Sequence, residues 1–312
     1  MTEDVGGPAP RVPALDELLL EAKLSVPPPR PGTVSRAALI ETARSSDCRV
    51  VAVTAPAGYG KSTLLAEWAF AEDRPVAWVT LDRFDDDPAV LLTVLASAYA
   101  RVAPGNYDLV ADMGGLGVSV LGRAAPHLAS ALRTSPVPFV LMLDDLHELQ
   151  SPTCHDVLSI VISGIRQGSQ LVAASRAEQP HLPRLRSSGD ALELVASDLA
   201  LDAAGAEQIF SRARVSLDRD VAAAVTERTE GWPVGLHLAA LIASESDGEA
   251  LTISGEDRYV ADYLYRESLA KVPEKTQRFL RCTAVIDQLC APLCAALLAE
   301  PGAQQQLRDR AA

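Results

Sequence analysis

Gly58, Gly60, Lys61 and Ser62 lie within one five-residue window. Their types suit the holding of a chain of phosphates. Glycines put no Cβ between backbone N–H groups and phosphate oxygens. The Lys61 ammonium is a compact positive charge for the terminal phosphates. The Ser62 hydroxyl is a hard oxygen donor of the kind Mg²⁺ prefers. The run Ala57-Gly58-Tyr59-Gly60-Lys61-Ser62-Thr63 is therefore the candidate nucleotide-binding stretch. One position departs from the usual pattern: Ala55 stands where the phosphate loop commonly opens with Gly.

A second group of candidates is Asp144, Asp145 and Arg176. Asp144 ends an apolar run and can hold Mg²⁺ together with Ser62. Asp145 can orient or polarise an attacking water. The plainer alternative is that the pair merely caps the element that follows. Arg176 ends another apolar run, where a guanidinium could touch the γ-phosphate; a surface ion pair is the plainer reading. Asp145 and Arg176, with Lys61, are the candidate catalytic residues, and Ser62 and Asp144 the candidate metal ligands. His127, His147, His155, His181 and His237 show no partner spacing and read as ordinary histidines.

The elements that must position these groups follow from the pattern. A short helix is expected at Leu15–Leu24, and strands are predicted at Val50–Thr54, Val76–Leu81, Pro138–Asp145, Gln170–Arg176 and Leu192–Val195. Helical stretches alternate with them, so the sheet is expected to be parallel with helices on both faces. Both candidate groups then fall at strand C-termini, where such sheets carry their chemistry. Ser35 reads as an N-cap for the helix ahead of the first strand. Asp85-Asp86-Asp87 reads as dipole-complementing carboxylates at the helix opened by Pro88. Helices are expected over Pro126–Arg133 and Cys154–Gln167, and Pro104–Leu121, with Gly114, Gly115 and Gly117, reads as a loose loop. From Asp198 onward the pattern is all-helical, broken by Gly231-Trp232-Pro233-Val234-Gly235. The last helix is expected at Ala291–Ala299.

Composition narrows the classes. The chain has 312 residues, 48% of them hydrophobic and 22% charged, ordinary for a globular protein of two or three domains. A formal net charge of −13 argues against general nucleic-acid binding. Five cysteines, an odd number, argue against a disulfide framework and read as buried free thiols. The Pro-rich start has no signal-peptide core and nothing reads as membrane-spanning, so a cytoplasmic location is expected.

Taken in order, Val34-Ser35-Arg36, the phosphate loop, Leu141-Met142-Leu143-Asp144-Asp145, Ala174-Ser175-Arg176 and Glu230-Gly231-Trp232-Pro233 resemble the STAND class of signal-transduction ATPases. The resemblance is nearer to the nucleotide-binding part of the large ATP-binding LuxR-family transcription regulators, the group containing the maltose-regulon activator. It spans about residues 27–298, and Ala55 occurs in that subgroup too. It implies a P-loop NTPase fold of α/β class, followed by an all-helical domain and a winged-helix-like segment. It implies ATP or ADP with Mg²⁺ between sheet and helical parts, Val34 and Arg36 on the adenine side, Pro233 closing over the base, and Arg176 as γ-phosphate sensor. It implies slow ATP hydrolysis as a switch of domain arrangement and self-association, with DNA contact only through a C-terminal domain not in this chain. The expected domains are a flexible arm (1–32), a nucleotide-binding domain (33–197), a helical domain (198–250) and a winged-helix-like domain (256–312). The chain is then a piece of a longer protein or a short member. The rival readings are a dedicated catalytic ATPase and a helical docking module with a structural nucleotide.

Overall fold

In the computed structural model, residues 15–103, 119–245, 258–267 and 269–284 are described, with Cys290 and Leu293. Two compact units result, one up to Ala240 and one from Leu241. The helices from Asp198 as far as Ala240 fall in the same compact unit as the sheet.

The first unit is built on five parallel strands: β1 (Val50–Thr54), β2 (Val76–Thr80), β3 (Val140–Asp144), β4 (Gln170–Ser175) and β5 (Ala191–Val195). Their order across the sheet is β2-β3-β4-β1-β5. β4 therefore lies between the strand leading into the phosphate loop and the strand ending in Asp144. In register, Thr54 pairs with Ser175 and Thr80 with Asp144, so these strands finish level.

Side chains alternate across each strand, and two cores result. Leu141, Leu143, Leu171 and Ala173 face one core, closed by α4 (Pro88–Val102), α5 (Ala125–Arg133) and α6 (Pro152–Gly164). Val51, Val53, Val140, Met142, Val172 and Ala174 face the other, closed by α2 (Ala37–Arg44) and α3 (Lys61–Ala71). This is the expected parallel sheet with helices on both faces.

Several local expectations are corrected. Within the arm the short helix expected at Leu15–Leu24 is present as α1 (Leu15–Lys23), and it is tied down: Leu24 is 5% exposed, and Lys23 Nζ donates to both Asp85 oxygens at 2.7 Å. The three adjacent carboxylates do three different jobs. Asp85 is buried on Lys23, Asp86 accepts from the N–H groups of Gln150 and Ser151 at the start of α6, and Asp87 caps α4. α6 starts and stops earlier than the expected helix beginning at Cys154. A π-helical turn, Val120–Ala124, precedes α5 where loop was expected to Leu121. Gly114, Gly115 and Gly117 lie outside the described residues, as does the expected helix at Ala291–Ala299 apart from Leu293. The four described cysteines are free, but only Cys154 is buried.

α7 (Leu182–Ser188) and α8 (Ala196–Leu199) flank β5, and α9 (Ala203–Arg212), α10 (Arg219–Arg228) and the start of α11 (Pro233–Glu245) complete the first unit. The second unit holds α12 (Arg258–Glu267) and α13 (Glu274–Thr283). Among the described residues, no helix is long and apolar enough to cross a membrane.

Candidate nucleotide site

The phosphate loop is a left-handed turn ahead of a helix N-terminus. Gly58 and Gly60 sit at φ 83° and 80°, where residues with a Cβ are disfavoured. A Cβ on Gly60 would meet nothing within 4 Å, so its need for Gly is conformational and the space above it is open. α3 begins at Lys61 and directs its positive end at this loop. Lys61 is only 8% exposed, and its Nζ donates to the carbonyls of Ala55 and Pro56 at 2.7 and 2.9 Å. Burial and then the Arg176 charge lower its pKa, against the pull of Asp145 and Asp144.

The carboxylates meet the loop from β3. Asp144 is 3% exposed; its Oδ1 accepts the Asp145 N–H at 3.0 Å, and its side chain is hydrogen-bonded to Ser62. Burial raises the Asp144 pKa, with the Ser62 hydrogen bond opposing. Asp145 takes φ 56°, a strained conformation for a residue other than glycine. It precedes the turn Leu146–Glu148, yet its side chain makes no capping hydrogen bond there. Capping therefore does not account for its carboxylate.

Arg176 follows directly on β4, the strand between these two groups. Its charge acts on both Lys61 and His147. The turn that carries it is fixed by Ser175 Oγ, which donates to the Ala177 carbonyl at 2.6 Å and accepts from Gln179 Nε2 at 2.8 Å. His147 was not expected here. Its Nδ1 lies 3.8 Å from Asp145 Oδ1 and is buried with no hydrogen-bond partner among the described residues. Burial lowers its pKa, with Asp145 opposing. Only its place two residues after Asp145 hints at this.

The strip Val34–Arg36 is tied to the phosphate-loop helix. Ser35 is not the N-cap of α2; Arg36 holds that position. The Ser35 hydroxyl instead donates to Glu67 Oε1 at 2.5 Å, and the Arg36 N–H donates to both Glu67 oxygens at 3.1 and 3.0 Å. A carboxylate from α3 thus takes the Ser35 hydroxyl proton and the Arg36 N–H, while Ser35 Oγ accepts the Ala37 N–H at 3.3 Å. The Arg36 guanidinium reaches the carbonyls of Leu199 and Ala200 at the end of α8. Val34 is half-buried. Beside the strip, a cavity of about 120 Å³ is lined by Pro28, Pro29, Thr33, Thr63, Glu67 and Phe70 among others.

Pro233 opens α11 within a turn that lies against the loop itself. Trp232 Nε1 donates to the Ala57 carbonyl at 3.1 Å, and the Val234 N–H to the Gly58 carbonyl at 3.2 Å. The turn is set by two successive left-handed residues, Glu230 at φ 51° and Gly231 at φ 67°. Gly231 also pairs with Leu201, whose N–H donates to its carbonyl at 2.8 Å. A Cβ on Gly231 would come within 2.4 Å of the Leu201 oxygen, so this position excludes every other residue.

The donor set fits a magnesium nucleotide. Ser62 and Asp144 bring two hard oxygens together at the loop. Among the described residues, no group of three or more His, Cys, Asp or Glu is placed to hold a metal. An ion here would rest on Ser62 and Asp144 and complete its shell from phosphate and water.

Comparison with known proteins agrees with this arrangement. The AAA ATPase domain family matches residues 37–172, and the MalT winged helix domain family matches residues 265–312. The HTH-type transcriptional regulator MalT of Klebsiella pneumoniae (strain 342) is 27% identical over 307 residues, covering 94% of this chain and 33% of that protein. The MalT of Cronobacter sakazakii (strain ATCC BAA-894) is 28% identical over 303 residues, with the same coverage. The chain thus spans about a third of the length of the curated relatives it matches. Among solved structures, the Walker-type ATPase paby2304 of Pyrococcus abyssi has a TM-score of 0.53 at 13% identity, covering 86% of this chain and 85% of that one, a likeness of fold. The resemblance read from the motifs is borne out: this chain is similar to the MalT regulators along nearly its whole length, with an AAA ATPase stretch in front and a MalT-type winged-helix stretch at its end.

Proposed function

We propose that this chain is the ATP- and ADP-binding switch module of a transcription regulator. Slow ATP hydrolysis in it sets domain arrangement and self-association. The observation that carries the reading is convergence. Lys61, Ser62, Asp144, Asp145 and Arg176 come from three strand ends to one loop, and the turn at Pro233 lies on the same loop.

Each role follows from the chemistry of the group. The N–H groups of Ala57 to Thr63 receive the phosphates at the α3 N-terminus. Lys61 and Arg176 take the terminal phosphoryl, and its presence or absence is what Arg176 reports. Ser62 and Asp144 hold Mg²⁺, which when bound neutralises charge on the outer phosphoryl oxygens. Asp145 orients water and accepts its proton. Val34, Arg36 and Pro233 face the base. The triphosphate favours one domain arrangement and the diphosphate another, a shift of population between two states. DNA contact is assigned to no residue of this chain, whose net charge is −13. The location is cytoplasmic.

The test is calorimetric titration with ADP and a non-hydrolysable ATP analogue, followed by solution scattering of each complex. Binding of both with distinct scattering curves supports the switch. Turnover well above ~1 per second would favour a dedicated enzyme. Tightly held ADP that never exchanges would make the nucleotide structural.

A further inference from the structure

Four consecutive carbonyls of the phosphate loop are occupied by donors. Lys61 Nζ holds those of Ala55 and Pro56. The Trp232 indole holds that of Ala57 at 3.1 Å, and the Val234 N–H that of Gly58 at 3.2 Å. A trans peptide is planar, with C=O and N–H pointing opposite ways. Fixing the Ala57 carbonyl therefore fixes the Gly58 N–H. Fixing the Gly58 carbonyl does the same for the Tyr59 N–H. These are the groups a phosphate loop turns toward its anion.

Trp232 is itself held in one place. Gly235 makes room for its ring, since a Cβ there would come within 2.6 Å of Trp232 Cε3. Gly231, clamped on Leu201, fixes the chain just before it.

We propose that Trp232 is a positioning residue for phosphate binding. Its indole N–H sets the Ala57–Gly58 peptide, so phosphate affinity and docking of the 231–235 turn rise and fall together. By reciprocity, captured phosphates strengthen the docking of that turn. The inference rests on the nucleotide reading given above.

Two variants test it. Trp232→Phe keeps an aromatic ring beside Gly235 and removes the donor. Placing β-(3-benzothienyl)alanine at position 232 keeps the bicyclic shape and removes only the N–H. Each is titrated with ADP and with adenosine, beside the unsubstituted chain. ADP affinity is expected to fall roughly five- to tenfold in both variants, the effect of one lost hydrogen bond. Adenosine affinity stays unchanged, and the nucleotide-free melting midpoint falls only by the few degrees that one lost hydrogen bond costs. Equal losses for ADP and adenosine, or full ADP affinity in the benzothienyl variant, would overturn the proposal. If Trp232→Phe does not fold, the benzothienyl variant decides. An unsubstituted chain that binds no ADP overturns the nucleotide reading and this inference with it. ADP binding that both variants match overturns this inference alone.

Discussion

At the N-terminal ends of the strands, Glu72 has a side chain only 1% exposed. It accepts from Arg74 Nε and Nη2 at 3.0 and 2.9 Å and from Trp68 Nε1 at 2.9 Å, and Arg44 stands 3.5 Å away. At the C-terminal ends, Lys61 and Asp144 are also buried, 8% and 3% exposed, but no ion pair of comparable completeness closes around them among the described residues. The pKa directions record the difference. Burial works to raise the Glu72 pKa, yet its hydrogen bonds from Arg74 and Trp68 win and bring it down to about 2. At the other end burial wins: Asp144 is raised and Lys61 lowered. One end of the sheet uses buried charge to hold the fold. The other keeps buried charge partly uncompensated, at a cost to folding, with capacity left for a charged ligand. Cavity size alone would mislead, because a cavity of about 300 Å³ lies at the Glu72 end and is lined by Glu41, Arg44, Asp73 and Arg74.

The largest effect that sharpens this contrast belongs to Asp145. Asp145→Ala is expected to keep ADP affinity and slow ATP hydrolysis about 10²- to 10⁴-fold, the usual worth of a general base. A phosphate-release assay beside calorimetry checks both halves. Glu72→Gln should do the opposite, sparing nucleotide affinity at pH 7 and lowering stability by about 3 kcal/mol. The sign follows from the depressed pKa. The stabilisation is present above the unfolded value near 4.5 and is lost as pH falls toward about 2. Urea melts across that window should show a steep acid limb in the unsubstituted chain and a flatter one in the variant.

His181 acts in a different pH window. Its pKa is lowered to about 4, by burial first and then by His155. Between pH 6.5 and 4 the unfolded chain binds the proton and the folded chain does not, so stability falls on acidification. His181→Asn should remove about 2 kcal/mol of that slope, allowing for screening at a half-buried ring. The smallest change is Asp87→Ala, which removes the α4 cap and should cost about 1 kcal/mol by thermal melting, with nucleotide affinity untouched.

The legible parts of the sequence were those where chemistry and local pattern coincide. The run around Lys61 fixes strand, loop and helix together, because few other arrangements suit that order of residues. Asp144 followed from its place at the end of an apolar strand. What stayed hidden depends on long-range partners. Ser35 has the right type for an N-cap, but the helix starts one residue later, at the Arg36 cap, and the Ser35 proton goes to Glu67, 32 positions on. No local spacing announces that the Trp232 indole reaches Ala57, 175 positions earlier. The left-handed Asp145 is likewise invisible, since its type does not demand that backbone. His147 stands close to Asp145 and Glu148 in sequence, but its burial near Lys61 and Arg176 comes from distant segments and left no local mark.

The most direct measurement is titration of the purified chain and of Lys61→Ala with ADP, by calorimetry. The unsubstituted chain should bind one ADP, and the variant should bind it at least a hundredfold more weakly, since the loop loses its only buried ammonium among the described residues. Equal affinity in the two proteins would contradict the claim that this loop holds a nucleotide's phosphates.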